Sequence, residues 1–243
     1  MMFIDINCDL GESFGAYTLG NDEALMPFIT SANIACGMHA GDPRIMHQSV
    51  QTCVRQGVAI GAHPGFADLS GFGRRNMGIS PAEAYDLVLY QIGALYGFVK
   101  AAGARLHHVK PHGALYNQAA KDPALAEAIA RAVKDFDSQL FLYGLAGSAL
   151  VEEAKRLGVR TCSEIFADRT YQPDGTLTPR TSPNALIHDP AQAVGQVMQF
   201  IREKENWAET VCVHGDGPQA VSFAQALYTH FQEQGIQPQS PLL

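Results

Sequence analysis

The sequence is short of basic residues and of long apolar runs. Its 243 residues include 17 lysines and arginines against 24 aspartates and glutamates, which gives a formal net charge of −7. Such a chain offers no basic surface, so we expect neither nucleic acid nor anionic lipid among its partners. No apolar run approaches the roughly 18 residues that a membrane-spanning helix requires. The opening MMFIDINCDLGE also lacks the basic segment and the apolar core of a secretory signal peptide.

Cysteines are few, and they are widely spaced. There are five, an odd number, and no C-x-x-C pair occurs among Cys8, Cys36, Cys53, Cys162 and Cys212. This spacing is typical of reduced thiols in a cytoplasmic protein rather than of a disulfide framework. We therefore predict a cytoplasmic location. Thiols that lie inside apolar strands are expected to be buried and unreactive.

Several familiar catalytic motifs are also missing. No G-x-G-x-x-G follows the first predicted strand, no Walker A loop is present, and no G-x-S-x-G elbow occurs. No H-E-x-x-H or H-x-x-x-H pair falls on a predicted helix. These absences argue against a dinucleotide-binding fold, the familiar ATP-binding loops, serine-hydrolase chemistry and a zinc site built on one helix.

Short apolar runs alternate with longer helical patterns along the whole chain. Most of the runs are apolar on both alternating faces, as in parallel strands that are covered on both sides. The predicted strands are 2–9, 31–37, 58–63, 106–112, 140–144, 159–167 and 210–216. Seven β-then-α units predict an α/β fold with parallel strands, either an open doubly wound sheet or a closed barrel. We prefer a TIM-like (β/α)7 barrel forming one domain, 1–243, with a loose terminus after Gly235.

The helices carry clear start signals. A capping residue followed by proline occurs at Asp42-Pro43, Ser80-Pro81, Asp122-Pro123 and Asp189-Pro190. Ser80 and Glu83 form a capping box ahead of an amphipathic segment at 84–102. Asp42 therefore has two interpretations, an N-cap or a catalytic acid, whereas Asp122 and Asp189 are expected to be caps only.

Polar and ionisable residues collect at the carboxyl ends of six of the seven strands. In an α/β barrel these ends converge on one face, where active sites are found. A single histidine there is more often structural, but the repetition favours a catalytic face. The residues are Asn7, Asp9 and Glu12; His39 and Asp42; His63 and Asp68; Lys110, His112 and Asn117; Glu164, Asp168 and Arg169; and His214 and Asp216.

Two connections from this face are too long to be simple turns. They are residues 64–80, with Arg74 and Arg75, and residues 168–184, with Arg180. They are either ordinary surface loops or lids whose arginines grip a carboxylate or phosphate.

The carboxylates of Asp9 and Glu12 follow a buried strand and need a nearby positive charge. A divalent metal or Lys110 would supply it. His39, His63 and His214 together with Asp9 are candidate metal ligands, with Asp9, His39 and His63 preferred. Because these ligands would come from separate strands, their spacing alone is a weak indication of a metal site.

Six ordered segments resemble the LamB/YcsF family, and the likeness runs from Asp5 to about Pro218. They are DINCDLGESFGAY, SANIACGMHAGDP, GAHPGFADLSGFGRR, HVKPHGALYN, SEIFADRTYQPDGTLTPR and VCVHGDGP. The resemblance implies a seven-stranded barrel like that of the glycoside hydrolase/deacetylase group. It also implies ATP-dependent 5-oxoprolinase activity, a hydrolysis of the cyclic amide of 5-oxo-L-proline to L-glutamate, with ATP as co-substrate and two further subunits, B and C, as partners.

Under that resemblance we expect two sets of site residues. The catalytic set is Asp9, Glu12, His39, His63, Lys110, His112 and His214. Asp9 and Glu12 with His39 and His63 would hold a water, directly or through a metal; Lys110 would offset charge on a carbonyl or phosphate oxygen; His112 and His214 would protonate the leaving nitrogen. The substrate-binding set is Asn7, Asp68, Arg74, Arg75, Asn117, Glu164 and Arg169.

Two other functions stay open. One is a metal-dependent deacetylase or carbohydrate-active hydrolase that needs no ATP. The other is a non-catalytic protein that binds a small carboxylate or sugar, although pure binding rarely requires so many acids and bases on one face.

Overall fold

A computed structural model describes residues 2–203, 208–215, 217 and 219–242. Seven parallel strands in this part of the chain close into a barrel, because β1 pairs with both β7 and β2. A short eighth strand extends the sheet beside β1. The strands are β1 (Met2–Leu10), β2 (Ser31–Ala35), β3 (Ala59–His63), β4 (Leu106–Val109), β5 (Phe141–Leu145), β6 (Arg160–Phe166), β7 (Thr210–His214) and β8 (Ile236–Pro238). The predicted α/β barrel of seven strands is confirmed.

Helices follow the strands and cover the outside of the barrel. Within the described residues they are α1 (Asp22–Leu25), α2 (Pro43–Gln56), α3 (Pro81–Ala101), α4 (Gly113–Ala119), α5 (Pro123–Phe136), α6 (Ala149–Arg156), α7 (Pro190–Glu203) and α8 (Ala220–Glu233). The predicted caps are confirmed. Asp42 and Asp122 accept hydrogen bonds from backbone N–H groups of the first turns of α2 and α5, and Ser80 forms a capping box with Glu83.

Alternation along β1 explains why the barrel interior is polar. Ile4, Ile6, Cys8 and Leu10 belong to the apolar core that includes residues of the surrounding helices. The residues between them point the other way, because successive side chains of a strand face opposite sides. Asp5, Asn7 and Asp9 accordingly bond to polar side chains of other strands inside the barrel. The interior is thus a stack of hydrogen-bonded polar groups that leads up to the carboxyl ends.

The segment after Gly235 differs from the loose terminus that we expected. Ile236–Pro238 pairs in parallel with Met2–Ile4, and the backbone N–H of Gln239 donates to the carbonyl of Ile4. The run IQP is too short to predict a strand by itself. It becomes one because the lower part of β1 has hydrogen-bonding groups available for another strand.

All five cysteines are free and buried, and the predicted burial of Cys8, Cys36 and Cys212 is confirmed. None of the helices in the described part of the chain has both the length and the apolar character needed to cross a membrane. The predicted polar residue Asp216 lies outside the described residues.

Candidate functional site

The centre of the barrel is occupied by the ammonium group of Lys110, which follows β4. Its Nζ lies 3.0 Å from Asn7 Oδ1, 3.0 Å from Asp9 Oδ1 and 2.8 Å from Glu164 Oε1. The thiol of Cys212 is 3.1 Å away. Burial alone would lower the pKa of Lys110, but the charge of Asp9 and the other acidic neighbours holds it well above its ordinary value. The lysine is therefore a fixed positive charge.

Asp9 lies between this lysine and the histidines above it. Its Oδ1 bonds to Lys110 and to Nδ2 of Asn33, and its Oδ2 lies 3.4 Å from Nε2 of His63. Burial would raise the pKa of Asp9, but His63 and Lys110 reverse this and hold it well below its ordinary value. Asp9 is thus ionised, although it is buried.

Three histidines from three strand ends form a cluster above Asp9. Nε2 of His63 lies 3.0 Å from Nδ1 of His112, and the two rings are perpendicular. The ring of His39 stacks on that of His112, with centroids 3.7 Å apart and planes within 5°. Glu12 joins the cluster through Oε1, 3.7 Å from His112 Nδ1 and 3.8 Å from His39 Nε2. Burial, together with the neighbouring histidines, lowers the pKa of His39 and of His112 well below the ordinary value.

A second acid–base pair stands on the other side of the barrel mouth. Nδ1 of His214 lies 2.9 Å from both carboxylate oxygens of Asp168. Burial would raise the pKa of Asp168, but the charge of His214 outweighs it and lowers the pKa. The carboxylate therefore orients the imidazole through its contact with Nδ1.

These groups surround a cavity of about 700 Å³ at the carboxyl ends of the strands. Its lining includes Asp9, His63, Arg74, Lys110, His112, Asn117, Arg169, Arg180 and His214. Another groove, of about 900 Å³, lies between α7 and α8 and contains none of the predicted site residues. The cavity at the barrel mouth is the candidate active site, because perturbed acids and bases converge only on this one of the two.

Some predicted site residues lie behind this lining. Glu12 and His39 are buried within the histidine cluster, and Asn7 and Glu164 lie beside Lys110 beneath the cavity floor. Arg169 is also buried, and its guanidinium donates to the carbonyls of Thr178 and Ala185. It holds together the long connection after β6, although it reaches the cavity wall as well.

Two predicted substrate-binding residues bond to each other instead. Asp68 accepts hydrogen bonds from the guanidinium of Arg75 and from the backbone N–H of Gly71, while the Arg75 side chain is 67% exposed. Neither residue is part of the described cavity lining. This pair stabilises the connection after β3, and Arg74 is the arginine of that connection that faces the cavity.

Three further residues support the site, and the sequence did not predict any of them as site residues. The hydroxyl of Tyr116 donates to Glu164 Oε2 over 2.7 Å, and Asn33 Nδ2 bonds to both Asn7 and Asp9. His108 Nε2 lies 2.7 Å from Asn33 Oδ1. Asn33 and His108 could have been noticed as polar residues inside apolar strands. Tyr116 gave no signal, because it lies in an ordinary amphipathic turn.

Known proteins resemble this chain over its whole length. The LamB/YcsF family model matches residues 4–242. A protein of Tolumonas auensis that is named as the A subunit of 5-oxoprolinase is 57% identical over 98% of each chain, and one of Shouchella clausii with the same name is 58% identical over 97% of each. The crystal structure of the lactam utilization protein from Thermus thermophilus superposes with a TM-score of 0.91. It is 44% identical and covers 99% of this chain and 100% of its own.

Proposed function

This chain belongs to the LamB/YcsF family, and we propose that it is the A subunit of an ATP-dependent 5-oxoprolinase. On this proposal it opens the lactam ring of 5-oxo-L-proline by hydrolysis and yields L-glutamate. The observation that carries the proposal is the convergence of Asp9, His63, His112 and His214 on one cavity, in a chain whose full-length relatives are named for this activity. A name that specifies one lettered subunit implies others, and we propose 5-oxoprolinase subunits B and C as partners.

The reaction explains why ATP takes part. A five-membered lactam is a stabilised amide, so its carbonyl carbon is a poor electrophile. Transfer of the γ-phosphoryl group of ATP to the lactam carbonyl oxygen would activate this carbon for attack by water. The C–N bond then breaks with the electron pair going to nitrogen, and a second water hydrolyses the resulting acyl phosphate to glutamate and phosphate. A proton must reach the nitrogen, because otherwise phosphate leaves first and the lactam forms again.

The geometry suggests a role for each side of the cavity. Asp9 and the histidine cluster at the floor would bind and deprotonate the attacking water. His214, oriented by Asp168 and 12% exposed toward the cavity, is our candidate for protonating the leaving nitrogen. The cavity-facing guanidinium groups of Arg74 and Arg180 would bind the substrate carboxylate.

We assign Lys110 a role that differs from the one expected from the sequence, which was to offset charge on a carbonyl or phosphate oxygen. Four protein atoms lie within 3.1 Å of its Nζ, whereas an ammonium has only three N–H donors. We propose that it keeps Asp9 ionised and in place rather than donating directly to the carbonyl oxygen. Since the sequence holds no familiar phosphate-binding loop, we assign ATP binding to a partner subunit or to the interface. Buried free thiols are consistent with the cytoplasm, where we place the complex.

The test is reconstitution with subunits B and C. We expect formation of glutamate and ADP that depends on both 5-oxoproline and this chain, and its loss when Asp9→Asn replaces the wild type. Deacetylation of N-acetylated sugars by the chain alone, without ATP, would favour the deacetylase function instead. Calorimetric binding of 5-oxoproline without turnover in the complete mixture would favour a binding protein.

A further inference from the structure

Two buried histidines lie at the cavity floor, and one nitrogen of each ring faces the other ring. Nε2 of His63 and Nδ1 of His112 are 3.0 Å apart. The remaining nitrogen of each ring contacts a backbone carbonyl, Lys110 O at 2.6 Å and Phe72 O at 2.8 Å. A carbonyl only accepts, so each ring donates its N–H to that carbonyl, and in the neutral state the two facing nitrogens both carry lone pairs. Two lone pairs at this distance repel each other unless a cation, either a proton or a metal ion, lies between them.

A carboxylate completes the arrangement. Oε1 of Glu12 lies 3.7 Å from His112 Nδ1, and the ligand atoms of Glu12, His39, His63 and His112 all lie within 4.8 Å of one another. Atoms bound at about 2.1 Å to one metal ion are separated by roughly 3.0 to 3.4 Å. The observed separations of His112 from Glu12 and His63 therefore need adjustments of only a few tenths of an ångström. A hydrogen bond from a ligand histidine to a backbone carbonyl is also one of the common ways in which a protein fixes the coordinating nitrogen.

We propose that Glu12, His63 and His112 bind one divalent cation of the Zn²⁺ class. Two imidazoles and one carboxylate are a known zinc ligand set that leaves a coordination position open. His63 and His112 line the cavity, so the open side of this centre faces the space that a substrate would occupy. Asp9 Oδ2, 3.4 Å from His63 Nε2, adds negative charge beside the cation. Resting on the proposed function, the cation would act as a Lewis acid in lactam opening.

His39 is not a ligand in this arrangement, although sequence reasoning placed it among the preferred ones. A metal lies close to the plane of each imidazole that binds it. A cation in the plane of His112 would stand well off the plane of His39, because the two rings are stacked with their centroids 3.7 Å apart. The His39 ring is fully buried, and neither of its nitrogens has a hydrogen-bond partner among the described residues. A buried polar side chain without a partner indicates that another molecule binds next to it. This molecule would enter beside the cation and exchange a hydrogen bond or a proton with His39.

The decisive experiment measures metal binding by the isolated chain, without ATP or 5-oxoproline. The chain is stripped with a chelator and titrated with Zn²⁺ by calorimetry and with Co²⁺ by visible absorption. We expect one equivalent to bind, and at least a tenfold weaker Kd in Glu12→Gln, His63→Gln and His112→Gln, each checked for folding by circular dichroism. Glu12→Asp, which keeps the charge, should bind more tightly than Glu12→Gln.

Two variants serve as controls for the ligand assignment. His39→Gln should keep the wild-type Kd within about threefold, as should His47→Gln on the exposed face of α2. Absence of a bound equivalent, or equal weakening in His39→Gln and His112→Gln, would overturn the proposal. Because the assay involves no turnover, its failure leaves the 5-oxoprolinase assay unaffected, and a failed turnover assay leaves the metal titration unaffected.

Discussion

Lys110 and Asp9 form an ion pair inside the barrel, with 3.0 Å between Nζ and Oδ1 and with side chains only 2% and 8% exposed. Pairs of this kind are costly to break, because removing one partner leaves the other charged group buried without compensation. Here the loss of Lys110 would leave both Asp9 and Glu164 without their nearest positive charge.

Replacing Lys110 by Met should therefore affect stability and catalysis together. We expect the free energy of unfolding to fall by about 3–5 kcal/mol. 5-Oxoproline-dependent ATP hydrolysis in the three-subunit complex should fall about 100-fold or more, because Asp9 would no longer be held ionised and in place to act as a base. Lys121→Met, at the exposed rim of the cavity, is the matched control and should cost less than about 1 kcal/mol. A folded Lys110→Met chain with near-normal turnover would contradict the role we assign to Lys110.

Asp168→Asn tests the orientation of His214. The amide keeps the size of the carboxylate but not its charge, so His214 loses the partner that holds its Nδ1 proton. Turnover should fall about 100-fold, within the range of general acid–base catalysis, with little change in KM. The pH–rate profile should also shift, which a purely structural role would not cause. If the profile keeps its midpoints, His214 is not the proton donor.

Variants of two adjacent arginines distinguish substrate binding from stabilisation of the connection after β3. Arg74 faces the cavity and lies over the ring of Phe72, whereas Arg75 pairs with Asp68 at the surface. Arg74→Ala should raise the KM for 5-oxoproline about tenfold or more, because a charged hydrogen bond to the carboxylate is lost. Arg75→Ala should leave KM unchanged and lower the melting temperature slightly. If Arg75→Ala raised the KM and Arg74→Ala did not, Arg75 rather than Arg74 would be the residue that binds the substrate.

Gly61, in β3, is required because the ring of His108 occupies the space beside it. A Cβ at this position would overlap the His108 ring, which is held by Asn33 and by stacking on Tyr143. Gly61→Ala should lower the free energy of unfolding by about 1–3 kcal/mol. Gly97→Ala, on the exposed face of α3 where nothing lies within 4 Å, should instead raise it by about 0.5–1 kcal/mol. Chemical denaturation of both variants measures the difference.

Stability should depend on pH through His108. Burial, and then the charges of His107 and Lys110, hold the pKa of His108 well below the ordinary value of 6.5. Below pH 6.5 the unfolded chain binds a proton that the folded chain excludes, so this contribution is complete above 6.5 and is lost as the pH falls. One such group changes the free energy of unfolding by up to about 1.4 kcal/mol per pH unit.

Urea denaturation between about pH 5 and 7 measures this slope. His108→Phe should reduce this slope by up to about 1.4 kcal/mol per pH unit, the value for one proton. The slope should fall even though the variant is less stable than the wild type at every pH. Gly97→Ala keeps every titratable group and should retain the wild-type slope. An unchanged slope in His108→Phe would mean that other groups cause the acid sensitivity.

Local signals predicted most of the framework. Asp42, Ser80 and Asp122 each stand directly before a proline, and their side chains can only reach the N–H groups that follow, so their caps are determined within about four residues. The strand ends likewise indicated the catalytic face, because parallel strands in a barrel must bring their carboxyl ends together.

Contacts between distant residues could not be predicted in this way. The strand at Ile236–Pro238 exists only because Met2–Ile4 lies beside it. The sequence also does not tell which of Arg74 and Arg75 turns inward, since both sit in the same connection. The N–H groups of Lys110 are all occupied by four side chains from β1, β6 and β7. These side chains come together only when the barrel closes.

The pairing of β1 with β7 has a consequence for how the chain is made. Asp5 pairs with Thr210, which is 205 positions further along. A ribosome adding about 5–20 residues per second needs roughly 10–40 s to supply that partner. During this time the first strand lacks a neighbour on one side, and Asp5 lacks the Thr210 hydroxyl that later bonds to its carboxylate. Folding of this protein should therefore finish only after synthesis of the last strands, and a chaperone that shields a sheet edge should raise its yield.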